Sequence, residues 1–340
     1  KVDYFSATRF LSLPPVYWYD KSEIPELLNG YIERYQFFNV YPRVSRGIYL
    51  NQSKPLLDNQ DIRTGINYAL NFDKVIQVVL RGDAVRMQST VAGFGRYTNP
   101  ALRAKPYDVA KAQEYFAKAG FTRRGGDGVL VNDKGQRLSF TLSVGNQALY
   151  TQIVLILKED ALKAGLEIRI ESVDFTQLFK KGDQKQHEMI FAGWGATPPF
   201  PHLWEYYHSD NAWEKLPDGT RKPKTDTNNF TMTADPTLDP LIMQQREAPN
   251  EDEMQRLCWE IEQRVQDLGC SIPTWDSPFY RYFHWRWMRW PKDGNLKQTR
   301  EAHEAFVYWI DEDIKAETLK AMKEGKSFGE VYRVFEQYRE

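Results

Sequence analysis

His202 and His208 bracket Trp204 and Glu205 in "PFPHLWEYYHSD", and imidazoles beside a carboxylate are residue types that hold a metal or act as a general base. Their spacing fits neither one face of a helix nor a known ligand pattern, so the expected role is hydrogen bonding in a loop. Asp311, Glu312 and Asp313 offer paired acids, yet carboxylates at the start of a helix read first as a cap stabilised by the helix dipole. Cys258 and Cys270 are the only cysteines. With the first on a helix and the second just past its end, their Cα atoms are expected more than ~7 Å apart, and both are read as buried thiols, with an oxidised pair as the alternative. No G-x-S-x-G, Walker loop, G-x-G-x-x-G or H-E-x-x-H occurs. No catalytic residue, metal ligand or cofactor is assigned on these grounds.

A different chemistry sits in "RYFHWRWMRWP", Arg281 to Pro291, where nearly every residue is aromatic or cationic. A nucleic-acid surface, a membrane anchor and a strand at a binding site are the three readings. Lys plus Arg (45) nearly cancel Asp plus Glu (46), so the chain lacks the basic excess that drives phosphate binding, and no nucleic-acid partner is expected. No apolar run approaches the ~18 residues of a membrane span, and Arg281, Arg286 and Arg289 cut this one. In a strand, Phe283, Trp285 and Trp287 share one side, and Tyr282, His284 and Arg286 the other. Packing is the expected role of most of these rings. At the other end, "KVDYFSATRFLSL" shows no apolar segment followed by a small-residue cleavage site, so no signal peptide is read in it.

The elements that must position such residues follow from periodicity and punctuation. A chain of 340 residues is long enough for roughly two domains of about 150 residues each. "DIRTGINYALNFDKVIQVVL" predicts two helices broken at Asn71, which caps the second, with Ile62, Ile66, Tyr68 and Ala69 on one stripe. "PYDVAKAQEYFAKAGF" predicts a helix from Asp108 to its stop at Gly120. "GGDG" (Gly125 to Gly128) is a turn, and "RLSFTLSV" a half-buried strand with Leu138, Phe140, Leu142 and Val144 inward. Next come a helix ended by Gly165, a strand carrying Leu166, Ile168 and Ile170, a helix capped by Asp174, and the strand "HEMIFAGWG". Such alternation is the grammar of a sheet with crossover helices, whose ligand crevices form at strand ends. Residues 198–250 read as loop. Beyond them, Asn250 and Glu253 form a capping box ahead of a Leu257, Ile261, Val265 stripe. "SIPTW" is a strand and "WIDEDIKAETLKAMKEG" a terminal helix.

Taken in order, "LNQSKPLLDNQDIRTGINYALNFDKVI", "YDVAKAQEYFAKAGF", "RLSFTLSV", "LKEDALKAGLEIRIESVDFTQLFKK", "FAGWG" and "YYHSDNAW" resemble the family 5 extracellular solute-binding proteins of bacterial ABC importers. Within that family the chain is most similar to the oligopeptide or microcin-C-type branch. The resemblance implies an α/β, periplasmic binding protein-like (type II) lobe with mixed sheet and crossover helices, plus part of the second lobe. Residues 1–44 would belong to lobe I and the hinge approach, 45–280 to the inserted lobe II, and 281–340 to the return into lobe I. Family members are usually longer, and the chain looks like the C-terminal portion of one.

The resemblance also implies function: no catalysis, but capture of a peptide and delivery to ABC permease subunits by a periplasmic or extracellular, membrane-associated monomer. Gly193, Trp194 and Gly195 would pair with an extended peptide as an added strand. Relatives that grip a peptide amino terminus place an aspartate three residues after the tryptophan. Thr197 stands there, so another acid, Glu205, is the alternative anchor for an ammonium. Trp275 and Tyr280, near the crossover between lobes, are further candidates for ligand contact. An oligosaccharide ligand is the alternative that the aromatic content supports. A cleft hydrolase and a partner-binding module without small ligand stand behind it.

Overall fold

The computed structural model describes residues 4–6, 18–19, 24–39, 45–195, 199–291 and 308–339. By contacts the chain divides into two compact units: residues 42–276, and residues 1–41 with 277–340.

The core of unit 42–276 is a five-stranded mixed sheet, ordered Ser271–Pro273, Ser45–Leu50, Met189–Trp194, Ser139–Gly145, Glu167–Val173. Ser45–Leu50 runs antiparallel to both of its neighbours, and the other pairs are parallel. Parallel neighbours need crossovers. Helix Ala148–Lys163 supplies one and helix Phe175–Asp183 the next, the latter capped by Asp174 through the Gln177 N–H. Leu138, Phe140, Leu142 and Val144 are all buried, as the alternation predicts. Strand Met189–Trp194 is covered on both faces. Ile190 and Ala192 pack with Leu178 and Phe230, whereas Phe191 meets Tyr150 and Trp275.

Capping chemistry fixes the helices. Asn71 accepts from the Lys74 N–H, and Asp108 from that of Lys111. Gly120 and Gly165 take the positive φ that ends their helices, at 86° and 89°. Asn250 caps helix Glu251–Leu268 through the Glu253 N–H, but the reciprocal half of the predicted box is missing, because the Glu253 carboxylate pairs with Arg256 instead. Helix Gln60–Ala69 is buried almost all round, and its Tyr68 is half-exposed, stacked on Tyr115. Cys258 and Cys270 are buried free thiols.

Residues 199–250, the described part of the stretch read as loop, are not the loop their composition predicts. They form helices Leu203–Tyr207 and Leu238–Arg246 and a hairpin of Trp213–Lys215 with Arg221–Pro223. The elements are too short to show a period. A buried polar knot secures them: the Asn229 side chain donates to the His208 and Thr233 carbonyls and accepts from the Thr233 N–H, beside the Thr231 and Thr233 hydroxyls, 2.7 Å apart.

In the other unit, strand Tyr280–Trp285 lies between Tyr4–Ser6 and Ile32–Phe37, and Tyr332–Phe335 pairs parallel on the far side of Ile32–Phe37. The strand stops at Trp285, so Arg286 and Trp287 stand outside it, yet the Trp285 and Trp287 rings still stack at 4.8 Å. Tyr280 and Tyr282 pack with Tyr35 and Phe37, while Phe283 packs with Trp18 and Leu27. The arginines are committed too. The Arg281 guanidinium lies 4.2 Å from the Phe279 ring, Arg286 lies 4.0 Å from that of Phe328, and Arg289 faces Glu33. Asp311 caps helix Glu312–Glu324 through the Ile314 N–H, the structural role expected of that acidic run.

Candidate functional site

The end of strand Met189–Trp194 is paired unequally on its two sides. Toward Ser45–Leu50 the register runs the whole length, from Met189 opposite Leu50 to Trp194 opposite Ser45. Toward Ser139–Gly145 it covers only Leu142 with Met189 and Ser143 with Ile190. Beyond Ile190 the second side of the strand has no registered strand partner among the described residues. Unpaired strand backbone is a template for an added strand. Gly193 is half-buried there, Gly195 is exposed, and a side chain at Gly195 would start in open space.

Trp194 is held from three sides. Its ring meets Tyr49 at 4.6 Å, Phe230 at 4.8 Å and Tyr206 at 5.3 Å, the first two edge-on, and one part stays exposed. Its indole N–H donates to Asn228 Oδ1 at 3.2 Å, and Asn228 Nδ2 donates to Glu205 Oε2 at 3.3 Å. Glu205, with a side chain 45% exposed, also faces His202 Nδ1 at 3.9 Å. A strand end, an aromatic plate and a solvent-facing carboxylate are thus tied together by one amide. Burial and, secondarily, the Glu205 charge push the neighbouring Tyr206 phenol up to about 12, so it stays a neutral donor.

Thr197 lies outside the described residues. Trp275 belongs to the same unit but is fully buried, between Phe72 and Phe191 with the Arg46 guanidinium 5.2 Å from its ring, and offers no surface to a ligand. Tyr280 belongs to the other unit, where it stacks on Phe37 at 5.4 Å. His208 is buried and its Nδ1 accepts from the Asp210 N–H. Among the described residues no cluster of His, Cys, Asp and Glu could hold a metal. Asn228 was not visible in the sequence as a site residue, since its contacts reach residues more than twenty positions away.

The family model for the middle region of the bacterial extracellular solute-binding proteins, family 5, matches residues 17–214, more than half of the chain. The chain belongs to this family. Its relatives are substrate-binding proteins of ABC transporters rather than enzymes. This family 5 chain is 24% identical over 165 residues to the oligopeptide-binding protein AppA of Bacillus subtilis, covering 47% of this chain and 30% of AppA. It is 28% identical over 155 residues to the nickel-binding periplasmic protein of Escherichia coli, covering 45% and 29%. Two solved structures show the same fold. AppA with a nonapeptide overlays at a TM-score of 0.73 and 17% identity, over 91% of this chain and 56% of that one. An oligopeptide-binding protein of Thermotoga maritima, with bound mannohexaose, overlays at 0.64 and 16% identity, over 86% and 61%. The family 5 chain thus spans about a third of its curated relatives by sequence and little more than half of the solved structures by fold. No helix among the described residues is long and apolar enough to cross a membrane.

Proposed function

We propose that the chain is the ligand-gripping part of an ABC importer's substrate-binding subunit, and that its ligand is an oligopeptide held extended along residues 191–195. On this reading the unit of residues 42–276, rather than 45–280, forms lobe II and the flanking segments belong to lobe I, with delivery to permease subunits outside the cytoplasm. The observation that carries it is the one-sided pairing of strand Met189–Trp194. An extended peptide satisfies backbone groups that the sheet leaves open, which gives affinity with little demand on side-chain identity. Trp194 and Glu205, linked through Asn228, supply a flat apolar contact and a negative charge beside that edge. The mannohexaose bound to the similar Thermotoga maritima protein, together with the half-exposed Trp194 ring beside Tyr206, supports the oligosaccharide alternative.

Native mass spectrometry of the protein expressed from its intact gene, followed by denaturing analysis of what it releases, tests both. Intact peptides of varied sequence are expected. Release of oligosaccharide overturns the peptide assignment in favour of the sugar, and recovery of cleaved ligand overturns the binding-only reading.

A further inference from the structure

The Asn228 amide can span Trp194 and Glu205 only if its backbone is held, and a buried lysine does the holding. Helix Phe175–Asp183 leads through a turn into strand Met189–Trp194, and Lys185 stands in that turn. Its Nζ donates to the Thr227 carbonyl at 2.6 Å and lies 5.1 Å from the centre of the Phe230 ring. One contact therefore falls on the peptide group that joins Thr227 to Asn228, and the other two residues beyond Asn228. The Phe230 ring in turn meets that of Trp194 at 4.8 Å, while the Asn228 side chain accepts from the Trp194 indole and donates to Glu205. All of these residues belong to unit 42–276.

Lysine is a poor residue for this turn on two counts. Its φ of 56° lies in the left-handed region, which glycine enters freely and a residue with a side chain does not. Lys185 is also only 2% exposed, and burying an ammonium is unfavourable unless strong partners replace its water. Burial lowers the amine to about 8, and Asp183 and Asp226 work against that through longer-range attraction, with no ion pair to Lys185 among the described residues. The amine's direct contacts are the Thr227 carbonyl and the Phe230 ring. Other bonds fix the ends of the segment: the Asp226 N–H donates to the Asp183 carbonyl at 3.0 Å, and His187 Nε2 lies 2.8 Å from the Phe230 carbonyl. Between those ends, the lysine amine is what reaches the peptide group next to Asn228. Glycine would relieve both the backbone and the burial, and would leave that peptide group without its donor.

We propose that Lys185 is a positioning residue of the candidate site: its amine fixes the peptide group between Thr227 and Asn228 and so aims the Asn228 amide at both Trp194 and Glu205. Enclosed as it is, the lysine offers no surface to a ligand and acts through Asn228. Its effect on affinity rests on the reading of Trp194 and Glu205 as ligand contacts, whereas its effect on the Trp194 indole does not.

A double-mutant cycle on the protein expressed from its intact gene tests this, pairing Lys185→Met, which removes the amine at similar length, with Asn228→Ala. In ligand-free protein carrying isotope-labelled tryptophan, the Trp194 indole N–H proton resonance, assigned with Trp194→Phe, is expected to move upfield in either variant and no further in the double variant. Additive shifts, or no shift in Lys185→Met, overturn the proposal. Should Lys185→Met fold poorly, Lys185→Gly takes its place, because it removes the same amine while relaxing the turn. Calorimetric titration with penta-alanine then reads the consequence for binding: affinity about tenfold weaker in Lys185→Gly and in Asn228→Ala alike, with no further loss when the two are combined. Unchanged affinity in Lys185→Gly overturns the positioning role. An indole shift in a protein whose parent does not bind penta-alanine upholds the positioning and counts against the peptide reading instead.

Discussion

At the scale of single residues, Asn228 matters more to the candidate site than its half-buried position suggests. Its side-chain amide links the Trp194 indole to the Glu205 carboxylate. Truncation to alanine removes both bonds where water can partly replace them, so Asn228→Ala is expected to cost about 1 kcal/mol of stability in denaturant unfolding. Peptide affinity, read by calorimetry on the same variant, should fall more than stability, because Glu205 loses its orientation. Trp194 and Glu205 could be singled out from a motif and a nearby acid. Asn228 could not, since a contact made across a loop leaves no trace in local spacing. Trp275 illustrates the reverse. A tryptophan near a crossover reads as a ligand contact, but proximity along the chain says nothing of burial, and the fold encloses it completely.

Among elements, legibility follows length and punctuation. Helices with an Asx cap and a glycine stop, and strands alternating over five or more residues, fall where the sequence puts them. The short helices and hairpin of residues 199–250 do not, because the Asn229 knot that orders them is tertiary. The aromatic strand was legible in its alternation but not in its end at Trp285. A second kind of illegible information is close approach. Gly65 sits inside helix Gln60–Ala69, where alanine is the better helix former by about 1 kcal/mol. A Cβ at that point overlaps the fully buried Phe116 ring of helix Val109–Lys118. Overpacking of a closed core costs about 1–3 kcal/mol, so packing outweighs propensity. Gly65→Ala is expected to lower the midpoint of thermal unfolding rather than raise it.

On the scale of the whole molecule, buried titratable groups set opposing pH responses. Burial lowers His187 in unit 42–276 to about 4 and His284 in the other unit to about 3. A histidine kept neutral in the fold contributes stability that is complete above the unfolded value of 6.5 and is lost as pH falls toward the folded one. Glu262 acts with the opposite sign, losing stability as pH rises from 4.5 to about 8. Lys185, lowered by burial to about 8, enters only above that. Between pH 4.5 and 6.5 the slopes of His187 and Glu262 cancel, each about 1.4 kcal/mol per pH unit. Unit 42–276 should therefore show a plateau there and a decline from 6.5 to 8 in unfolding followed by hydrogen exchange. Replacing His187 by Gln should convert the plateau into a slope that falls with rising pH; an unchanged plateau would refute the compensation.

Strand Ile32–Phe37 pairs with Tyr280–Trp285 across almost the entire intervening unit, while within that unit Gly47 lies opposite Pro273. Bringing Phe37 to Tyr280 in an unfolded chain closes a loop of roughly 240 residues, at an entropic cost near 5 kcal/mol. Once Ser45–Leu50 and Ser271–Pro273 are zipped side by side, only a short tether separates the two strands on either end. Connectivity therefore predicts an order of events: the inserted unit folds first and acts as an intramolecular clasp, and in pulse-labelled hydrogen exchange the discontinuous unit should gain protection only after it.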